Sequence, residues 1–408
     1  MTADIKRVGM LFSGGPAPAA NAVISAAALS LGNAGIDVYG FLDGYSNLER
    51  FTPDAPLVEG KHFLRLTRDV VSGIRNRTDI ILRTSRANPG KAVTSLEDLR
   101  DPVKNAKLRA VFAALAHHGI DGLVSLGGDD TLKTANYVHT MQELMPELPR
   151  VRVVHLPKTI DNDYFGIDWT FGFNSAADFA AREIRNIGAD AKSTSAWYVL
   201  EVMGRKAGWL TYASGIAGEA TRIMSVEDFE GVFDADAVAE ELVDLMLTRA
   251  ADGREYGVVC LAEGLADILP DDQRPKEVDE HGNPVLGNVG IGQHLARAME
   301  SAYARKTGRK QRIRAKQIGY ETRCSQPCAS DVLLGSQLGV GAYTALVEKG
   351  LAGVMVSLEG QLQLRYVPFG DLIDPTTLKT RIRLIERDSD FCRLARALEY
   401  RPARPIDA

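Results

Sequence analysis

Val151-Arg152-Val153-Val154-His155-Leu156 runs into Pro157-Lys158-Thr159-Ile160-Asp161-Asn162-Asp163, and the reading of this stretch decides the fold. A β-branched run that stops at a proline predicts a strand leaving a sheet, because proline has no N–H for the ladder. In an open α/β sheet, ligands bind beyond the carboxyl ends of the strands. The loop that follows holds a cation, a hydroxyl and two carboxylates: Lys158, Thr159, Asp161 and Asp163. That is more chemistry than a solvated turn requires. Just upstream, Leu123-Val124-Ser125-Leu126 leads into Gly127-Gly128-Asp129-Asp130-Thr131. The two strands are expected to bring these loops together around a polyphosphate.

Working outward, Arg7 to Phe12 is apolar, as a strand covered on both faces requires. Ser13-Gly14-Gly15-Pro16-Ala17-Pro18 turns it into a helix predicted from Ala19 to Leu31. Gly14 and Gly15 let the backbone approach an anion at the helix N-terminus, or simply form a tight turn. Asp37–Leu42 is a second strand, and Thr67–Lys91 reads as an extended surface loop containing Arg86, an arginine in a setting suited to a phosphate. Helices are predicted over Pro102–His118 and after Thr131. The repeated strand–loop–helix pattern predicts a mostly parallel sheet with helices on both faces.

From Asn174 the pattern restarts, predicting a second α/β domain facing the first. Its strands are Ala196–Val202, ending at Met203-Gly204-Arg205; Tyr256–Leu261, ending at Ala262-Glu263-Gly264; and Arg314–Gly319, ending at Tyr320-Glu321-Thr322-Arg323. Helices are expected over Ala176–Ile187, Ala235–Leu247, Gly290–Thr307 and Asp331–Lys349. Ile268–Asn288 reads as a surface excursion. Val354–Leu358 and Leu362–Val367 read as a hairpin, and Pro375–Tyr400 as helical.

The 408 residues carry a net charge of −5, which argues against a nucleic-acid partner, since that class shows a basic stripe or patch. No apolar run approaches the ~18 residues a membrane span needs, so no membrane partner is expected. The residues after Met1 lead straight into a strand without a signal-peptide core, and the expected compartment is the cytoplasm. Cys260, Cys324, Cys328 and Cys392 are scattered and read as free thiols in a reducing environment.

The strand ends share one kind of chemistry: Gly-Gly, Gly-Gly-Asp-Asp, Lys-Thr-Ile-Asp-Asn-Asp, Met-Gly-Arg, Glu-Gly and Tyr-Glu-Thr-Arg. Phosphoryl transfer needs such parts. A carboxylate holds Mg²⁺, cations spread the charge on the transferred oxygens, and a base takes a hydroxyl proton. Gly-x-x-x-x-Gly-Lys-Ser/Thr is absent, which excludes a P-loop enzyme, and no Ser-His-Asp or Cys-His pattern suggests acyl transfer.

Gly127-Gly128-Asp129-Asp130-Thr131, Pro157 to Asp163, and Met203-Gly204-Arg205 resemble three signature motifs of the 6-phosphofructokinases, in their order and spacing. The match runs from the first strand to about Val367. The resemblance implies a fold of two facing α/β domains, both discontinuous. Residues 1–173 with about 323–372 would bind diphosphate and Mg²⁺, and 174–322 with about 373–408 would bind a sugar phosphate. By the same resemblance Asp161 is the base for the sugar 1-hydroxyl, and Lys158, Thr159 and Arg205 share the catalytic work. Asp129 serves Mg²⁺. Gly14, Gly15, Arg86, Asp130 and Lys158 line the diphosphate. Thr159, Asp161, Asp163, Met203, Gly204, Arg205, Glu263, Arg314, Tyr320 and Arg323 line the sugar phosphate, with Arg314 coming from a neighbouring subunit of a homodimer or homotetramer.

Departures from the family pattern refine this. ATP-using members carry glycine where this chain has Asp130 and Lys158, an aspartate at Pro16 and a histidine at Tyr320. The implied reaction is therefore diphosphate with fructose 6-phosphate, giving fructose 1,6-bisphosphate and phosphate. Ala19 replaces a glycine, and Ala196 replaces an arginine that crosses the subunit interface in the bacterial ATP enzymes. Alternatives stay open at this point: an ATP-dependent enzyme, a preference for sedoheptulose 7-phosphate, or a sugar-phosphate sensor on the same fold. Asp130 and Lys158 could also serve the metal, as a second ligand and its ion-pair partner.

Overall fold

The computed structural model describes residues 5–274, 286 and 289–400. Among these residues the chain divides into two compact units. The first holds the chain up to Ile160, with Tyr164–Ser175 and Arg323–Ile382. The second holds Asp161–Asp163, Ala176–Thr322 and the residues from Arg383 onward.

The first unit is built on a seven-stranded sheet. Its strands are β1 (Arg7–Ser13), β2 (Asp37–Phe41), β3 (Phe63–Arg65), β4 (Gly122–Gly127), β5 (Arg152–Pro157), and two from the C-terminal third, Val354–Glu359 and Gln363–Pro368. The second unit supplies the intervening β6 (Trp197–Val202), β7 (Arg222–Met224), β8 (Gly257–Ala262) and β9 (Ile313–Ile318), so the last two strands of the first unit are β10 and β11. The larger sheet has the order β11-β10-β5-β4-β1-β2-β3. Its central strands are parallel, and the edge pairs β2–β3 and β10–β11 are antiparallel. β4 is buried at every position, as a strand covered on both faces must be. The smaller sheet, β7-β8-β6-β9, is wholly parallel. This is the mostly parallel α/β architecture that the sequence predicts.

In the first unit helix Ala329–Tyr343 packs on helix Ala20–Asn33 through small residues. A Cβ on Gly339 would stand 2.5 Å from the Val23 carbonyl oxygen and 2.8 Å from the Ala27 nitrogen, so the two backbones meet where a side chain has no room. In the second unit the core gathers around Trp197, Phe233, Leu242 and Met299. Helix Ala235–Ala251 starts where Asp234 accepts from the N–H groups of Asp236 and Ala237.

Several expectations are corrected. Pro375–Tyr400 is not one helix: Asp374 folds the chain into a turn by accepting from Thr376 and Thr377, and helix returns only at Asp390–Leu398. Thr67–Lys91 is not only a surface loop. Val71, Ile74 and Leu82 are buried, and a short helix, Arg68–Val71, sits at its start. The buried Asn21 amide holds this segment by donating to the Asp79 carbonyl and accepting from the Ile81 N–H. β3 and β7, three residues each, carry no readable sequence signal. Helix Asp331–Lys349 starts at Ala329, and its last turn, Thr344–Glu348, is a π-helix. Most of the Ile268–Asn288 excursion lies outside the described residues. No helix among the described residues is long and apolar enough to cross a membrane.

The Gly339 contact gives a direct test. Gly339→Ala is expected to lower stability by about 1–3 kcal/mol, because backbone cannot yield to the added methyl as a side chain would. A urea midpoint unchanged from the native protein would show that the two helices separate at no cost.

Candidate active site

In the first unit β1, β4 and β5 end at a common level, and the turns after β1 and β4 are glycine pairs. Gly14 has a positive φ of 89°, and its N–H donates to the Ser85 carbonyl at 2.8 Å. Thr84 Oγ1 donates back to the Gly14 carbonyl, so the segment that carries Arg86 is docked on the first turn. Arg86 itself is exposed. Helix Ala20–Asn33 then begins after Ala19, which is left-handed at φ 63°. A non-glycine residue pays roughly 1–2 kcal/mol for that conformation.

After β4, Gly128 caps helix Asp129–Leu144, and Asp129 and Asp130 occupy its first turn, where carboxylates suit the helix dipole. Gly127 has to be glycine, since a Cβ would fall 2.3 Å from Thr131 Oγ1. The Asp130 carboxylate lies 3.3 Å from Lys133 Nζ.

Lys158, after β5, is only 7% exposed. Its Nζ faces both glycine turns, 3.4 Å from where a Cβ on Gly14 would stand and 3.7 Å from one on Gly128. The Arg323 guanidinium covers Gly15 in the same way, at 3.2 Å. The sequence assigns Arg323 to the sugar phosphate; within the first unit its neighbour is Gly15. Two cations over side-chain-free backbone make a cradle for a compact polyanion. The Asp129–Asp130 carboxylates are hard oxygen donors. They suit Mg²⁺, which binds through one or two carboxylates and otherwise keeps water and phosphate oxygens. Among the described residues no group of three or more His, Cys, Asp or Glu forms a closed metal cage.

One carbonyl joins these loops. Gly127 O accepts from the Lys158 N–H at 3.0 Å and from the Tyr164 hydroxyl at 2.9 Å. His155 Nε2 lies 3.1 Å from that hydroxyl. Full burial pushes the His155 imidazole down to about 3, the positive Lys158 adding to the effect and the hydrogen bonding toward Gly127 opposing it.

In the second unit, Asp161–Asp163 form a tight turn around Asn162, left-handed at φ 55° and fully buried. Arg383 clamps the turn. Its Nη2 donates to the Asn162 carbonyl at 2.9 Å and its N–H to the Asp163 carbonyl at 2.8 Å, while its guanidinium lies 4.4 Å over the Trp209 ring. Sequence reasoning missed Arg383, and no local signal could have found it. At the end of β6, Gly204 has φ 146° and its N–H donates to Glu263 Oε1 at 3.2 Å. A Cβ on Gly264 would stand 2.5 Å from the Arg205 carbonyl oxygen. Met203, Gly204, Arg205 and Glu263 are thus brought together. Asp267, also missed, joins them: burial raises its carboxyl, and Arg205, Arg274 and Lys206 counter that.

Arg314 is not brought to this place. β6 and β9 run in parallel register, with Tyr198 opposite Arg314 and Val202 opposite Ile318. Arg314 therefore lies at the start of β9 and Tyr320, 71% exposed, just past its end, roughly 20 Å apart along the strand. Arg314 Nη1 donates to the Tyr198 hydroxyl at 3.0 Å and lies 3.7 Å from Asp190. Ala196 precedes β6 at this same far end.

Comparison with known proteins places these features in company. Residues 7–346 match the family model for phosphofructokinase. The chain is 34% identical over 403 residues to a pyrophosphate–fructose 6-phosphate 1-phosphotransferase of Thermotoga maritima, covering 96% of this chain and 90% of the relative. It is 32% identical over 362 residues to an ATP-dependent 6-phosphofructokinase of Chloroflexus aurantiacus, covering 88% and 89%. The Saccharomyces cerevisiae phosphofructokinase structure aligns with a TM-score of 0.68 at 24% identity, over 90% of this chain and 45% of that longer one.

Neutral, buried His155 predicts an acid-side loss of stability. Its folded value lies below the unfolded value of 6.5, so the unfolded chain binds the extra proton between about pH 6.5 and 3. Stability from this group is complete above pH 6.5 and falls by up to about 1.4 kcal/mol per pH unit below it. Urea midpoints at pH 4.5, 5.5 and 7 should show a shallower pH dependence for His155→Gln than for the native protein. Equal slopes would place a charged imidazole in the fold.

Proposed function

The chain belongs to the phosphofructokinase family, and from that premise we propose that it transfers a phosphoryl group reversibly from diphosphate to the 1-hydroxyl of D-fructose 6-phosphate. The products are D-fructose 1,6-bisphosphate and phosphate, and the setting is the cytoplasm. The observation that carries the choice of donor is Lys158: its buried ammonium faces Gly14 and Gly128, while Asp130 stands in the first turn of the helix that Gly128 caps. An ammonium set over two glycine turns attracts a small polyanion and follows its charge as phosphate leaves. A carboxylate at Asp130 occupies room that an α-phosphate would need and repels its charge. Mg²⁺, held through Asp129, would neutralise charge on the phosphate oxygens. Gly15, Arg86 and Arg323 add donors for that charge, and Thr159 adds a hydroxyl.

In the acceptor half, Asp161 takes the proton from the 1-hydroxyl, and the Arg383 clamp on Asn162 and Asp163 fixes its turn. Arg205, steadied by the Gly204–Glu263 contact, meets the sugar phosphate with Met203 and Tyr320. Arg314 lies a strand length from Arg205, which supports a homodimer or homotetramer in which it serves a neighbour's site. A second reading, ATP as donor, is favoured by the ATP-dependent enzyme among the relatives.

The deciding experiment compares diphosphate with ATP at equal concentration, with fructose 6-phosphate and Mg²⁺. Diphosphate is expected to give the faster turnover, and Lys158→Gly to lose it. Faster turnover with ATP would reverse the donor assignment. Asp161→Ser should lower kcat by about 10²–10⁴-fold with little change in KM for the sugar phosphate. Mixing Asp161→Ser with Arg314→Ala subunits should restore part of the activity that each lacks alone. No recovery in verified hybrids would confine Arg314 to its own chain.

A further inference from the structure

Both ends of the loop Lys158–Asp163 are tied to one acceptor. Its first residue donates its backbone N–H to the Gly127 carbonyl at 3.0 Å, and the residue that follows it, Tyr164, donates its hydroxyl to the same oxygen at 2.9 Å. A carbonyl oxygen has two lone pairs, so both bonds stand together. The hydroxyl proton of Tyr164 is committed to Gly127, which leaves its oxygen as acceptor toward His155 Nε2 at 3.1 Å. That bond assigns the imidazole proton to Nε2. The rings stack with centroids 6.0 Å apart, and both are buried, His155 at 0% and Tyr164 at 3% exposure.

We propose that Tyr164 and His155 are positioning residues for the phosphoryl transfer, a staple that fixes the span of the loop carrying Lys158, Thr159 and Asp161. Neither touches a reacting atom. His155 orients the Tyr164 hydroxyl, the hydroxyl holds the downstream end of the loop on Gly127, and Lys158 N–H holds the upstream end. Without the hydroxyl the downstream end keeps its backbone bridge to Ile382 and the Arg383 bonds to Asn162 and Asp163 but loses its tie to Gly127. Its distance from Lys158 then varies more, and reaction rates respond steeply to displacements of that kind. The activity readout rests on the proposed transfer; the staple itself does not.

The test uses the full-length protein with Tyr164→Phe, His155→Phe, His155→Gln and the Phe–Phe double variant. Tyr164→Phe should lower kcat by about ten- to a hundredfold while KM for both substrates stays within about twofold, since alignment rather than binding is lost. His155→Gln keeps an N–H donor and should recover most of the activity that His155→Phe loses. The double variant should be no slower than the slower single, because both act through one bond. Hydrogen–deuterium exchange of the peptide spanning 158–163 should rise in Tyr164→Phe, while peptides from β1 and β4 stay protected. Native kcat in Tyr164→Phe, multiplicative losses in the double variant, or exchange rising across the whole first sheet would each overturn the proposal. Should the native protein fail to turn over diphosphate, the donor reading fails by itself, and the exchange comparison still decides the staple.

Discussion

The parallel ladder between β4 and β5 runs from Gly122 opposite Arg152 to Gly127 opposite Pro157, and the turns that carry Gly128 and Lys158 inherit their place from that register. The β5 N–H groups that face β4 are those of even-numbered residues, from Arg152 donating to Asp121 to Lys158 donating to Gly127, so the missing Pro157 N–H leaves this ladder whole. Lys158 carries it one step further by donating to Gly127. Gly127 itself lies against Thr131 with no room for a side chain. A slip of one residue would turn every β5 side chain to the opposite face. Lys158 Nζ would then leave the two glycine turns and His155 would leave Tyr164. Register and a bare glycine act here as one constraint.

That constraint is local in sequence, which is why it was legible there. A β-branched run ending at proline, paired glycines after an apolar run, and polar residues at strand ends are all short-range signals, and they gave the strands of both sheets except the two shortest. β3 and β7 are three residues each and have no period to read. The helix expected over Pro375–Tyr400 failed for a similar reason, since charge and apolar spacing do not reveal an aspartate turning the chain at Asp374. Contacts between distant residues were invisible altogether. Arg383 reaches Asn162 from 221 positions away, and nothing around either residue announces the other. The neighbour of Arg323 likewise became known only through the fold: it is Gly15 within the first unit.

The second unit shows what a set of residues named from sequence leaves out. Arg205, Glu263, Arg314 and Tyr320 all border strands, and the sequence treats them as one group. Parallel register separates them. Arg205 and Glu263 follow β6 and β8 at the carboxyl end, where Gly204 and Gly264 bring their backbones together. Arg314 and Ala196 sit at the amino end of β9 and β6, and Arg314 is there engaged with Tyr198 and Asp190. Its guanidinium also lies 5.4 Å from the Tyr198 ring, so the side chain is held rather than dangling. A sheet cannot fold one of its ends onto the other. One phosphate therefore cannot meet Arg205 and Arg314 of the same chain, and the two arginines serve one ligand only if separate copies supply them.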